Sequence, residues 1–425
     1  MKKVLFISYF WPPAAKASMY WQLKVVQHLP GFGWEPVVLT VENESFEARD
    51  DSLLTEVNPN LKIIRTRSVE PFNVYRKLLG KDPGKPLVAS ETMSKTDQNL
   101  AHKLSLWVRL NLFVPDARVG WYLPAVKGAS AYLKKNKIDA IVSIGPPHSC
   151  HLINYKLSKK FGIPSIPLLQ DPWFDIVYYR DLDRSKLTQK IDKRFEQKVL
   201  KNSAQTVFVN HSTQADYISK YDFLREKSNV LYWGYNEEHF KDLKRTRGDD
   251  DEIIIVHSGN LFDYQNPRNF WSTIKRLNMS GRKVKLKFTG TVSPLIKKEI
   301  EYNDILKYTE YLGVIPYPQM LQELMNADIL MVCPTESRHV PGKLFEYLRT
   351  GNPILAFNDK NDEVRWLIEE SNAGKLLSYS DDAEEFLKNY KDYKHDVDAV
   401  KQYDRKLITE KFSHILNKIV NKSES

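Results

Sequence analysis

A lysine and a glutamate three positions apart, Lys343 and Glu346, are the residues of this chain best placed to do chemistry. They lie in Pro341-Gly342-Lys343-Leu344-Phe345-Glu346-Tyr347-Leu348-Arg349-Thr350-Gly351-Asn352-Pro353. A cation in the first turn of a helix adds a full charge to the unpaired N–H groups and the positive end of the macrodipole, which favours phosphate. A carboxylate one turn in looks back toward the same mouth and can accept from the hydroxyls of a polyol. A diphosphate on the first and a polyol on the second would together describe a sugar nucleotide. A strand–helix–strand unit that binds nothing is the alternative these residues leave open.

The elements that must position this pair are marked in the sequence. Pro341 suits a helix entrance, where no N–H is needed. Gly351 suits the left-handed residue after the last turn, and Pro353 stops further helix. Residues 328–333 and 354–357 read as buried strands on either side. The resulting βαβ unit puts Lys343 beyond the carboxyl end of a strand, where open α/β sheets bind ligands. Strand patterns recur at 4–9, 36–41, 61–64, 140–144, 165–169, 205–210, 230–233, 253–259, 285–288 and 308–312. Helical patterns at 20–29, 186–200 and 400–420 alternate with them, which predicts an α/β chain with parallel sheets. Within 186–200, Leu187, Ile191, Phe195 and Val199 form an apolar stripe opposite Lys190, Lys193, Arg194 and Lys198. The basic face is solvated or rests on anionic lipid. Segment 104–113 reads as core, with lipid contact as its alternative, and 80–96 as a polar loop.

A length of 425 residues predicts two domains. Their expected bounds are 1–240 and 252–399, with a charged linker at 241–251 and a C-terminal segment at 400–425. The net charge of +10 calls for an anionic partner, such as a nucleotide or an acidic membrane face. Nucleic acid is not expected, because no reading helix or stacking platform accompanies the charge. No run reaches the roughly 18 apolar residues of a spanning helix. Cys150 and Cys333 each adjoin an apolar strand and read as buried thiols of a reduced compartment. The first residues imitate a secretory leader, but Pro12-Pro13 interrupts a short apolar run and fold signals continue at once, so they read as the first strand.

Several chemistries have no footing. There is no G-x-x-x-x-G-K-[ST], no G-x-G-x-x-G, no G-x-S-x-G and no Cys/His cluster of zinc spacing. Asp181-Leu182-Asp183 is a D-x-D of the kind that holds a metal–diphosphate, but it sits in a charge-dense stretch where chance matches are common.

The order of motifs resembles the family 4 glycosyltransferases, retaining enzymes of the GT-B fold, and within them a bacterial branch that makes surface polysaccharides. The resemblance spans nearly the whole chain. It rests on Val4-Leu5-Phe6-Ile7-Ser8-Tyr9-Phe10-Trp11-Pro12-Pro13, Phe32-Gly33-Trp34-Glu35-Pro36, Val114-Pro115-Asp116-Ala117-Arg118, Gly145-Pro146-Pro147-His148-Ser149, Gln170-Asp171-Pro172-Trp173, His257-Ser258-Gly259-Asn260-Leu261 and the Lys343 helix. It implies two Rossmann-like domains facing across a cleft, with a C-terminal helix crossing back to the first. A UDP- or GDP-sugar would bind the second domain and a glycan or lipid-linked acceptor the first, without cofactor or metal. Glu346 would hold the ribose. Gly259, Asn260, Gly342, Lys343 and Leu344 would lie near the diphosphate, with Ala15 opposite, and Val314-Ile315 would face the base. His148 would sit at the reacting carbon, with Asp171 and Trp173 on the acceptor side. Lys343 and Arg268 would stabilise the leaving diphosphate as its charge grows. A cytoplasmic protein, peripheral on the inner face of the plasma membrane, follows.

The chain departs from the family's pattern at named places. Ala14-Ala15-Lys16-Ala17 stands where the family has paired glycines. Asn260 and Asn266 stand where it has Arg and Lys, with Arg268 as the nearby substitute, and Arg338 occupies the first position of the usual E-x7-E. These changes also suit a non-catalytic chain that keeps the fold and binds a partner. A sugar-nucleotide epimerase is the other alternative. It would need acid/base carboxylates, of which Asp171 alone stands out.

Overall fold

The computed structural model describes residues 1–16, 19–46, 48–69, 107–108, 110–175, 184–248 and 251–424. The loop expected at 80–96, the Asp181-Leu182-Asp183 triplet and residues 104–106 and 109 of the 104–113 segment lie outside them. Of the last segment, Leu110 is buried while Trp107 and Leu112 are exposed. The chain divides into two compact units, Met1–Leu231 with Thr409–Ser425, and Tyr232–Ile408.

The first unit is built on a seven-stranded sheet ordered β3-β2-β1-β4-β5-β6-β7. Its strands are β1 (Lys2–Ile7), β2 (Trp34–Val41), β3 (Lys62–Thr66), β4 (Ala140–Gly145), β5 (Ser165–Leu169), β6 (Thr206–Phe208) and β7 (Ser228–Val230). Helices α1 (Met19–His28), α2 (Tyr122–Leu133), α3 (Ser149–Phe161), α4 (Lys186–Asn202) and α5 (His211–Lys220) cover it. β1, β4 and β5 are buried over most or all of their length, as apolar runs in a sheet covered on both faces must be.

The second unit repeats the plan with a six-stranded sheet, β10-β9-β8-β11-β12-β13. Its strands are β8 (Ile253–Ser258), β9 (Val284–Thr289), β10 (Thr309–Gly313), β11 (Ile329–Val332), β12 (Ile354–Phe357) and β13 (Gly374–Leu377). They alternate with α6 (Arg268–Met279), α7 (Pro294–Tyr302), α8 (Tyr317–Asn326), α9 (Lys343–Thr350), α10 (Asp362–Glu370), α11 (Glu384–Asn389) and α12 (Val397–Lys401). The last helix, α13 (Arg405–Glu424), begins in the second unit and from Thr409 onward belongs to the first. There Phe412 meets Phe6 and Trp21 edge-on at 6.2 and 6.3 Å.

All pairings in both sheets are parallel. In each sheet the strand order reverses beside its opening strand, between β1 and β4 and between β8 and β11. That reversal opens a crevice at the strands' carboxyl ends, the usual ligand site of such sheets. His148 follows β4, and Gly259 and Lys343 follow β8 and β11, so both candidate centres lie at a reversal. Among the described residues no helix is long and apolar enough to cross a membrane, and no cluster of His, Cys, Asp and Glu could hold a metal.

Some sequence expectations need correction. The strand expected at 230–233 is β7 at Ser228–Val230, and β13 was not anticipated. The tail is two helices rather than one. Residues 241–251 do not behave as a linker. Arg245 and Arg247 both pair with Asp328 at 2.6 Å, and the Thr246 N–H donates to Asn326 at 2.9 Å. These contacts fasten the stretch to the second unit, whose border lies earlier, at Tyr232. The largest correction concerns α4: Leu187 is 69% exposed, and the buried face is Thr188, Asp192, Glu196, Val199 and Leu200.

Candidate functional site

In the second unit, three consecutive strand ends carry glycine. Gly259, Gly290 and Gly313 follow or close β8, β9 and β10 with φ of +91°, +109° and +65°. They are laced together, the Gly259 N–H donating to Thr289 O at 2.6 Å and the Gly290 N–H to Gly313 O at 2.6 Å. A β-carbon on Gly290 would stand 2.6 Å from Gly259 O, so the close approach itself requires glycine.

Lys343 opens α9 above this edge. Its Nζ donates to Ser258 O and lies 3.3 Å from His257 Nε2, and a β-carbon on Gly259 would sit 3.2 Å from it. His257 is buried, and its Nδ1 pairs with Met331 O at 3.0 Å, which leaves Nε2 as the acceptor facing Lys343. Burial, then the neighbouring ammonium, holds the His257 ring far below its ordinary pKa. Burial also pushes the Lys343 ammonium down to about 8, Cys333 and Glu346 opposing. His339, in the loop before α9, accepts from the Thr335 N–H at 3.1 Å and is lowered by burial to about 4. Lys343 therefore sits among neutral imidazoles, a poorly solvated cation that an anion would relieve.

One turn along, Glu346 accepts from the Tyr317 hydroxyl at 2.6 Å, and that hydroxyl lies 3.4 Å from His239 Nδ1. Burial raises the Glu346 carboxyl pKa, while Tyr317, Arg405 and Lys343 pull it back. Tyr317 begins α8, directly after the Val314-Ile315 loop that leaves β10, so this loop and Glu346 share a corner. Gly342 caps α9, and Gly351 ends it in the left-handed region at φ 78°.

Not every expected residue belongs to this group. Leu344 is fully buried and its N–H donates to Pro341 O at 2.9 Å, so it packs the core rather than a ligand. Arg268 opens α6 and pairs with Glu299 on α7 at 3.3 Å; among the described residues no contact joins it to Lys343. Asn260 is exposed beside Gly259. In the first unit, Ala15 is exposed, but its N–H donates to Ala48 O at 3.0 Å, which ties the first loop to 48–50 instead of offering that donor to a phosphate.

His148 lies in the first unit just ahead of α3, and its environment was largely invisible in the sequence. Its imidazole stacks on the Trp173 indole with centroids 4.9 Å apart. Trp173 is buried, so it supports the ring and does not present a face to an acceptor. The indole Nε1 donates to Asp192 at 2.8 Å, and its backbone N–H donates to the Tyr217 hydroxyl, which donates in turn to Glu196 at 2.8 Å. Asp192 also pairs with Arg184 at 2.6 Å. The buried face of α4 thus holds the Trp173 support in place. Asp116 accepts from the Ser149 N–H and hydroxyl, each at 2.8 Å, and so caps α3. Burial lowers the His148 pKa to about 3, with the Pro172 carbonyl opposing, and among the described residues neither ring nitrogen has a partner at hydrogen-bonding geometry. His151 is buried 5.5 Å away, its Nδ1 on Ser143 Oγ at 2.8 Å. Asp171 is half-buried at the mouth of the same loop.

No family profile matches the sequence, and no characterised protein sequence matches it significantly. Solved structures do match the fold. Anabaena HepE in complex with UDP superposes with a TM-score of 0.64 at 11% identity, over 98% of this chain and 100% of that one. The lipopolysaccharide outer core galactosyltransferase WaaB, in its apo form, gives 0.60 at 13% identity over 98% and 99%. Sucrose-phosphate synthase from Thermosynechococcus elongatus gives 0.57 at 12% over 99% and 97%. The chain has the GT-B fold. At these identities the likeness speaks for the fold alone.

Proposed function

We propose that the chain transfers a sugar from a UDP- or GDP-sugar to a glycan or lipid-linked acceptor with retention, without a metal, in cell-surface polysaccharide synthesis of the family 4 kind. The observation that carries this reading is the Lys343 corner. A half-buried ammonium stands over a glycine-lined strand edge, with a carboxylate one turn along on the same helix. The diphosphate is assigned to Lys343, Gly259 and the first turn of α9, the ribose to Glu346, and the base to Val314-Ile315. As the bond to the sugar breaks, negative charge builds on the leaving diphosphate, and a desolvated ammonium stabilises that charge more than it does the ground state. The proton it needs is already on Nζ at neutral pH. HepE, whose structures hold UDP and UDP-glucose, makes the donor class chemically reasonable for this fold.

The acceptor is assigned to the first unit, where His148, neutral and stacked, is the group offered to the sugar. The exposed arc of α4 carries Lys186, Lys190, Lys193, Arg194, Lys198 and Lys201, while both carboxylates of the helix point inward. That arc is proposed to rest on an anionic bilayer.

Calorimetric titration with UDP, GDP and their common sugar conjugates, beside Glu346→Ala, tests the reading. Saturable binding of one base, weakened in the variant, supports it. A folded protein that binds none of them would point instead to the fold kept without turnover.

A further inference from the structure

The turn that follows Gly259 displays two aromatic rings to solvent. Phe262 and Tyr264 are 44% and 61% exposed and stack on each other, centroids 5.7 Å apart and planes 14° from parallel, with Asp263 exposed between them. Large apolar rings held in water are costly unless something covers them.

This turn is held from both sides. Ahead of it, Leu261 is buried and pinned to the chain beyond β9, its N–H on Thr291 O at 2.8 Å and its carbonyl accepting from Ser293 at 3.0 Å. Behind it, Gln265 is buried, and its Oε1 accepts from the Phe262 N–H at 2.9 Å while Nε2 donates to Cys333 O at the end of β11. The Gln265 N–H closes the turn on Phe262 O at 2.9 Å, and Asn266 accepts from the buried Trp271 indole at 2.7 Å. The exposed rings are thus mounted on a braced support that leaves β8 and is anchored to the chain beyond β9 and to the end of β11, beside the Lys343 corner.

We propose that Phe262, Asp263 and Tyr264 form a subsite for a pyranose ring, an inference that rests on the nucleotide-sugar reading above. The negative face of an aromatic ring attracts the polarised C–H groups on the flat side of a pyranose. A carboxylate beside it accepts from two neighbouring hydroxyls, and a phenol adds a donor. These are the few placed polar groups and the apolar wall of a sugar site. Its place explains why a sugar should be there. The turn begins three residues beyond Gly259, the glycine under the Lys343 ammonium, so the next group outward from a diphosphate held there is a sugar. That sugar belongs either to the donor or to the acceptor.

Phe262→Ala/Tyr264→Ala and Asp263→Asn, all surface changes, separate these sources when titrated with UDP, GDP, UDP-glucose, UDP-galactose, UDP-N-acetylglucosamine and GDP-mannose. If affinity for the bare nucleotide holds while the advantage of its sugar conjugate falls roughly tenfold, the donor pyranose sits here. If donor affinity holds and the acceptor KM rises by a similar factor at constant kcat, the acceptor pyranose does. Phe262→Tyr should retain function in either case. Unchanged sugar affinity and KM, or an equal loss for bare nucleotide, would overturn the subsite and leave the donor reading standing. If the wild type binds no nucleotide, saturation-transfer NMR with methyl α-pyranosides decides. Signal lost in the double variant supports the platform, and no signal from the wild type overturns it.

Discussion

The indole of Trp173 lies flat on the imidazole of His148, the two planes within 7° of parallel. A ring stacked in this way has its orientation fixed before any ligand arrives, and its neutral state fixed by burial. With its pKa near 3, His148 carries no charge at any ordinary working pH. Turnover should therefore show no limb near pH 6.5 that disappears in His148→Gln. Observing such a limb would place the ring in water rather than under Trp173. Asp192→Asn tests the support itself, since the amide can still accept from the indole but removes the charge that pairs with the Arg184 guanidinium at 2.6 Å. Stability should drop by about 3 kcal/mol, and turnover should fall further than donor affinity. A parallel fall in both would make α4 merely structural.

Lys343 makes a pH prediction with a definite sign. Its folded pKa, about 8, lies below the ordinary 10.5, so between those values the unfolded chain binds more protons. Stability attributable to this group is lowest below pH 8 and rises through that window. Lys343→Met should remove this rise and be the more stable protein at pH 7, as urea unfolding at pH 7 and 10 would show. Nucleotide affinity behaves oppositely, because a diphosphate needs the ammonium. Above pH 8 it should fall by up to about tenfold per pH unit in the wild type and stay flat in Lys343→Met. A wild-type affinity independent of pH across 7–10 would remove Lys343 from the anion site.

Tyr317 and Glu346 can be separated from each other. The phenol fixes one carboxylate oxygen at 2.6 Å and leaves the other for a ligand. Tyr317→Phe should weaken nucleotide binding by a few-fold through lost orientation. Glu346→Ala should cost about 1.5–3 kcal/mol, a hydrogen bond to a charged group. Calorimetry that ranks Tyr317→Phe as the worse variant would make the phenol, not the carboxylate, the ligand's partner.

The basic arc of α4 predicts salt-sensitive attachment to vesicles rich in phosphatidylglycerol and none to phosphatidylcholine alone. Lys190→Glu/Arg194→Glu should weaken it by about 2 kcal/mol or more, since each cation near such a surface is worth about 1. Sedimentation with vesicles at two salt concentrations would read this directly. Equal binding by wild type and variant would return the arc to plain solvation.

The strands beside the reversals were legible because a doubly covered sheet demands continuous apolar runs, as at 253–258 and 329–332. The Lys343 helix was legible because Pro341 and Gly351 act through local backbone geometry. Two of the four edge strands, β7 and β13, were not. β13 is Gly-Lys-Leu-Leu, and β7 takes its limits from pairing with β6 rather than from its own composition. The buried side of α4 was illegible for a different reason. Periodicity looks for apolar neighbours, and Asp192 and Glu196 are buried by an indole and two phenols that arrive from residues 173, 217 and 221. Tyr317 escaped notice likewise, and His257 was read only as part of a motif and not as a neighbour of Lys343, since their partners are remote in sequence.

Gly259, Gly290 and Gly313 leave a floor of bare main chain along three neighbouring strand ends, with Gly259 beneath Lys343. Interactions made by peptide groups cannot be deleted by exchanging side chains; they can only be obstructed by adding one. Random mutation would therefore find this floor vulnerable at the glycines and forgiving nearly everywhere else along it. Such a surface holds its shape through long sequence drift.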